Sequence, residues 1–122
     1  MADAPSGKTG FWRGLLRSFD NAWRGVVALI RTQRNARIHL AATVGVIVLG
    51  LVKGVGKGDW IALSLAIGLV WLAEGMNTAI ELLADRVSPE HDERIGRLKD
   101  IAAGAVLLAA IAAATVGLIV FL

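Results

Sequence analysis

From Phe11 to Arg31, apolar and polar positions alternate with a helical period. At about 100° per residue, Phe11, Leu15, Phe19, Ala22, Trp23 and Val26 share one face, flanked by Trp12, Leu16, Val27 and Ile30. Arg13, Arg17, Arg24 and Arg31 gather on the opposite side. An aromatic stripe opposite an arginine stripe suits a helix lying in a membrane interface, its basic face toward anionic headgroups. A helix packed on a soluble core would show the same period, so the rest of the chain has to decide. Residues 1–10, MADAPSGKTG, are polar and carry no apolar run. They do not form a signal peptide and are expected to be a disordered tail.

The pattern then changes to long uncharged runs. Leu40–Val52 is the first, too short alone for the roughly 20 residues a crossing needs, so the first span is expected over about 36–53. KGVGKGD, Lys53–Asp59, reads as a turn. A second span is expected over 60–84 and a third over 99–122, joined by the charged, proline-containing connector DRVSPEHDERIGRLKD, Asp85–Asp100. The last run carries Ala103, Gly104, Ala110, Ala113, Ala114 and Gly117 at spacings that allow close approach of helices.

Composition settles the choice left open by the first helix. Of 122 residues, 56% are hydrophobic, more than a soluble domain of this size can hide. The fold expected is all-α and integral to the membrane: an N-terminal interfacial helix over 11–31 and three transmembrane helices, one domain over 11–122. The chain has no cysteine, which excludes disulfides and thiolate metal sites. The net charge of +3 matters less than where the cations sit. Lys8, Arg13, Arg17, Arg24, Arg31, Arg34 and Arg37 precede the first span, and Arg86, Arg94, Arg97 and Lys99 lie in the second connector. The glycine turn holds only Lys53 and Lys57. The positive-inside rule therefore puts the N-terminus and the second connector in the cytoplasm.

One stretch breaks the apolar pattern. In WLAEGMNTAIELLADR, residues 71–86, Glu74, Asn77, Glu81 and Asp85 fall within a helical arc of roughly 80°, with Thr78 at its edge. A charge at the bilayer centre costs about 2.5–3.5 kcal/mol even on the lenient insertion scale. Two glutamates on one face therefore have to meet protein, water or a cation. A helix-to-helix hydrogen-bond network would need only small polar residues. Paired carboxylates repel unless one is protonated or a cation lies between them. At that depth, one carboxylate could hold Mg²⁺ with phosphate oxygens, and another could take the proton of a hydroxyl. Lys99 and Asp100 begin the third span at the same level, where a lysine could meet phosphate.

With these residues the chain resembles the bacterial integral-membrane diacylglycerol kinases, a family that includes undecaprenol kinases. EGMNTAIELLAD, Glu74–Asp85, meets the pattern E-x-x-N-[ST]-A-x-E-x-x-x-D, and GRLKDIAAGAVL, Gly96–Leu108, meets G-[RK]-x-K-D-x-x-x-x-A-V-L. NARIH, Asn35–His39, is similar to a block of the undecaprenol kinase branch. The likeness runs from Gly10 onward. It implies a homotrimer in the bacterial inner membrane that moves the γ-phosphate of ATP, with Mg²⁺, to the hydroxyl of diacylglycerol or undecaprenol. By the same matching, Glu74 is the general base, Asn77 and Asp100 support the reacting groups, and Glu81 binds the metal with ATP. Lys99 binds phosphate. Arg13, Asn21, Glu90, His91 and Asp92 lie along the nucleotide. Gln33 stands where the family often has a second metal-binding glutamate. No nucleic-acid partner is expected.

Two motifs point elsewhere and fail. GVGKGD lacks the spacing and the preceding strand of a phosphate loop. His91 beside Asp92 and Glu93 has no second histidine at ligand spacing, and His39 reads as packing or capping at the first span. Two other functional classes fit the same ladder. One is a small oligomeric proton relay or transporter using Glu74 and Glu81; the other is a non-catalytic membrane assembly factor. The Gly96–Asp100 block argues against the relay, which needs no lysine at nucleotide level; an assembly factor would instead lose oligomer stability, and no chemistry, when Glu81 is substituted.

Overall fold

The computed structural model describes residues 7–122, and among these it forms helices and no strand: α1 (Gly7–Thr32), α2 (Arg34–Lys53), α3 (Lys57–Val87) and α4 (Glu93–Phe121). Of the tail expected over residues 1–10, residues 7–10 join α1 instead, and the remainder lies outside the described residues. The α1 ladder runs back through Gly10 to Gly7, whose φ of +73° marks its start.

Each joint has a local cause. Gln33 alone separates α1 from α2, with φ −111° and ψ 118°. Arg37 braces this elbow: its guanidinium donates to the carbonyls of Ile30 and Arg31 at 3.1 and 2.9 Å. These are among the last carbonyls of α1, which have no partner inside their own helix. Between α2 and α3, Gly54 takes φ +65° and Val55 N–H donates back to Gly50 O at 3.1 Å, a glycine-terminated helix end. α3 stops at Val87 because Pro89 disfavours helical backbone at Ser88. α4 begins at Glu93, six residues ahead of the expected span. Asp92 caps it, its Oδ1 accepting from Arg94 N–H at 2.8 Å. The connector expected over Asp85–Asp100 shrinks to residues 88–92, because its charged flanks are helical extensions beyond the apolar runs.

α2, α3 and α4 are each long and apolar enough to cross a membrane. The twenty residues of α2 span about 30 Å, the thickness of a hydrocarbon core, whereas the 31 of α3 reach about 46 Å and must project from it. α3 packs most extensively on α4, and α1 and α2 attach more lightly. The buried apolar residues are Ala36, Leu63, Ala66, Val70, Ala84, Ala102 and Ala109, five of them alanine, so the contacts are close but thin. Large side chains point outward instead, including Leu65, Leu72, Leu108 and Ile119. Such an inverted distribution suits lipid as solvent. The apolar face of α1 is likewise left open, with Phe11, Trp12, Phe19 and Trp23 more than half exposed. That removes the soluble-core reading of this helix.

The small-residue stripe of α4 is used differently from the expectation. The buried positions are Ala102 and Ala109, seven residues apart, outside the expected set. Ala110, Ala113, Ala114 and Gly117 instead border an apolar cavity of about 270 Å³ between α2, α3 and α4. Their small side chains leave that volume because α2 lies lightly on its neighbours. Gly104 and Gly117 stand against open space.

Candidate functional site

α3 buries one continuous stripe, Leu63, Ala66, Val70, Glu74 and Thr78, at helical steps of three and four. Glu74 therefore takes its place on the packed face by periodicity. It is the largest fully buried side chain of the described residues, only 2% exposed. From there the ladder emerges: Glu81 is half-buried and the Asp85 side chain 61% exposed. The rise from Glu74 to Asp85 is about 16 Å. With Trp60 as the interfacial anchor at one face, a core of about 30 Å ends near Ile80. Glu74 then lies about 9 Å inside the membrane, Glu81 at the boundary and Asp85 in water.

Glu74 faces His39 of α2, whose Nε2 lies 3.5 Å from Glu74 Oε2. Measured from Arg34 at the start of α2, His39 is about 8 Å deep, which agrees with the depth of Glu74. Glu74 Oε2, Asn77 Oδ1 and Thr78 Oγ1 are buried without a hydrogen-bond partner among the described residues. Leaving such groups unpaired costs about 1–3 kcal/mol each. Three in succession on one face mark a place built to receive polar atoms from outside the chain's own structure.

The other expected residues fall into separate groups. Lys99 of α4 donates to Asp85 of α3, so the lysine expected to meet phosphate stands beside the outer end of the ladder. Asp100 is exposed next to it. Gln33 sits at the α1–α2 elbow, its amide nitrogen donating to Thr32 Oγ1 at 3.3 Å. Thr32, Gly75 and Thr78 line one groove between α1 and α3, which places the elbow at the level of the ladder. Glu90 and His91 are exposed in the connector, and the Asp92 side chain is engaged as the α4 cap. Arg13 and Asn21 lie exposed on α1 and bond to neither α3 nor α4 among the described residues. No group of three or more His, Cys, Asp or Glu side chains gathers for a metal among the described residues. Glu81 offers one carboxylate, which suits a hard cation that arrives with phosphate oxygens.

Sequence reasoning missed His39 as a neighbour of this site, and with it Trp71 and Thr43. Trp71 Nε1–H donates to Thr43 Oγ1 at 3.0 Å, and Thr43 Oγ1–H donates to His39 O at 2.7 Å. The only signal available was the NARIH block, which carried no statement of what His39 touches.

The chain is similar to known proteins over most of its length. The prokaryotic diacylglycerol kinase family matches residues 20–121. An undecaprenol kinase of Bacillus subtilis is 36% identical over 106 residues, 87% of this chain and 86% of that enzyme. A diacylglycerol kinase of Synechocystis is 44% identical over 104 residues, 84% of this chain and 59% of that longer protein. A diacylglycerol kinase of Escherichia coli is 31% identical over 105 residues, 86% of this chain and 85% of its own length. The chain belongs to the prokaryotic diacylglycerol kinase family and is a membrane-embedded lipid kinase.

Proposed function

We propose that this lipid kinase transfers the γ-phosphate of ATP, with Mg²⁺, to the hydroxyl of diacylglycerol or undecaprenol at the cytoplasmic face of a bacterial inner membrane. One observation carries the reading: a carboxylate only 2% exposed stands on the packed face of a helix long and apolar enough to cross a membrane, and its Oε2 has no hydrogen-bond partner among the described residues. A lipid hydroxyl would donate to the Glu74 carboxylate, and Glu74 would take its proton as the new phosphorus–oxygen bond forms and the bond to the departing nucleoside diphosphate breaks. Asn77 and Thr78, on the same face, would hold the hydroxyl and the departing phosphoryl group. Mg²⁺, when bound, supplies charge neutralisation for the transferring phosphoryl group. Glu81 would hold it, with Gln33 as a neutral carbonyl ligand from the elbow. Lys99 would exchange Asp85 for phosphate, and Asp100 would orient that end of the site. Arg13, Asn21, Glu90, His91 and Asp92 would flank the nucleotide, the last mainly by fixing the start of α4. A homotrimer would cover the open helix faces and the lightly attached α2, while the single chain already buries Glu74 and leaves only the outer end of the ladder open.

The test is transfer of labelled γ-phosphate from MgATP in mixed micelles, with diacylglycerol and undecaprenol offered separately. Labelled lipid with the wild type and none with Glu74→Gln supports the reading and names the acceptor. Equal labelling with Glu74→Gln overturns Glu74 as the base. Proton flux into proteoliposomes without ATP, and no labelled lipid, would favour the relay instead.

A further inference from the structure

We infer that His39 is a positioning residue for Glu74: its Nε2–H donates to Oε2 of the carboxylate and turns Oε1 toward the lipid hydroxyl. The inference rests on the reading of Glu74 as the base. A carboxylate that accepts a proton works fastest when one oxygen is held and the other is aimed. Glu74 has no such holder among the hydrogen bonds of the described residues, yet His39 Nε2 stands 3.5 Å from its Oε2. That gap is a few tenths of an ångström beyond a formed hydrogen bond, and catalytic contacts of this kind tighten when substrate binds.

The imidazole itself is held in place. Its ring lies edge-on to Trp71, with centroids 6.4 Å apart at 67°. Trp71 is locked by its indole N–H to Thr43 Oγ1 at 3.0 Å, and Thr43 donates in turn to the His39 carbonyl at 2.7 Å. The direction of these bonds is consistent: the hydroxyl gives its proton to the carbonyl and keeps a lone pair for the indole. Trp71 precedes Glu74 by nearly one helical turn on α3, and Thr43 follows His39 by one turn on α2. The network thus sets the height of α2 against α3 at the depth where the carboxylate works. Between membrane helices, hydrogen bonds of this kind fix the relative position of two segments, because lipid gives apolar side chains no comparable drive to associate. His39 also lines the apolar cavity of about 270 Å³ between α2, α3 and α4, so the imidazole stands between that cavity and Glu74 Oε2.

The experiment compares His39→Ala, His39→Gln and Glu74→Gln with wild type in the micelle assay, and measures kcat and KM for ATP and for each lipid. Melting and oligomeric state are followed in the same preparations. With His39→Ala, kcat should fall about tenfold or more while KM for ATP stays within about twofold, the usual scale for a hydrogen bond to a charged group. His39→Gln, whose amide N–H can reach the same oxygen, should recover most of that loss. Thr43→Val should lower kcat in the same sense by a smaller factor. Full kcat with His39→Ala, or equal loss with His39→Gln in folded protein, overturns the inference. If the alanine variant does not fold, His39→Leu takes its place against His39→Gln. Loss with Glu74→Gln beside full activity in the His39 variants would reject His39 alone. Activity retained by Glu74→Gln would reject the base on which it depends.

Discussion

Lys99 on α4 donates to Asp85 on α3 and ties the emergent end of the carboxylate ladder to the start of the last helix. The two residues flank the short connector, and both are open to water, with side chains 34% and 61% exposed. A pair this exposed contributes only about 0–1 kcal/mol to stability. Its importance is therefore as a resting partner for a lysine that is proposed to bind phosphate.

Opposite effects of two substitutions would test that exchange. Asp85→Asn removes the competing anion, so KM for ATP should fall by roughly two- to fivefold, the scale of an exposed charge pair, with melting nearly unchanged. Lys99→Met removes the phosphate partner and should raise KM for ATP by about tenfold or more. Steady-state kinetics at saturating lipid measures both. A rise in KM with Asp85→Asn would mean that Asp85 orients Lys99 rather than competing for it.

The proposed metal site permits a gain as well as a loss. Gln33 brings a neutral amide to the elbow, where a carboxylate would add charge to the ligand set. Gln33→Glu should lower the Mg²⁺ concentration for half-maximal activity by about three- to tenfold, whereas Glu81→Gln should raise it by at least as much. Mg²⁺ titrations at fixed ATP separate these effects from changes in kcat. No shift with Gln33→Glu would place the elbow outside the metal's reach.

Glu74, Asn77, Glu81 and Asp85 share a face because helical period alone aligns them, and the structure keeps them on one helix. The spans were legible because uncharged length is a one-dimensional property. The cap at Asp92 was obscured by charge: a helix that continues into water carries the same residues as a loop. The pairing of His39 with Glu74 was invisible, because it depends on the relative height of two helices. Trp71 and Thr43 set that height, and no local pattern announces it.

A second interhelical fit gives a stability prediction. Gly50 on α2 lies against the Trp60 ring, and a Cβ there would stand 2.6 Å from the nearest ring carbon. Gly50→Ala must therefore displace Trp60 and should destabilise the folded chain by about 1–3 kcal/mol. Trp60→Leu in the Gly50→Ala background removes the ring and should recover part of the loss, so the double-mutant cycle has a non-zero coupling. Thermal unfolding in detergent reads all three variants. Additive losses would separate the two residues energetically. Gly58→Ala, which meets nothing within 4 Å, serves as the neutral control.

Orientation can be tested directly because the chain has no cysteine of its own. Gly58→Cys marks the beginning of α3, and Pro89→Cys marks the connector before α4, both at exposed positions. The cation excess of the N-terminal region and of the second connector predicts that residue 89 is cytoplasmic and residue 58 lies on the outer side. In intact cells an impermeant thiol reagent should label the Gly58→Cys protein and leave the Pro89→Cys protein unlabelled until the membrane is opened. The reverse pattern would put the Asp85–Lys99 end outside, away from cellular ATP, and the kinase site could not be charged with nucleotide there. Labelling at both positions in intact cells would mean that the second span does not cross. Glu74 would then lose the depth that makes a buried carboxylate useful to a lipid hydroxyl.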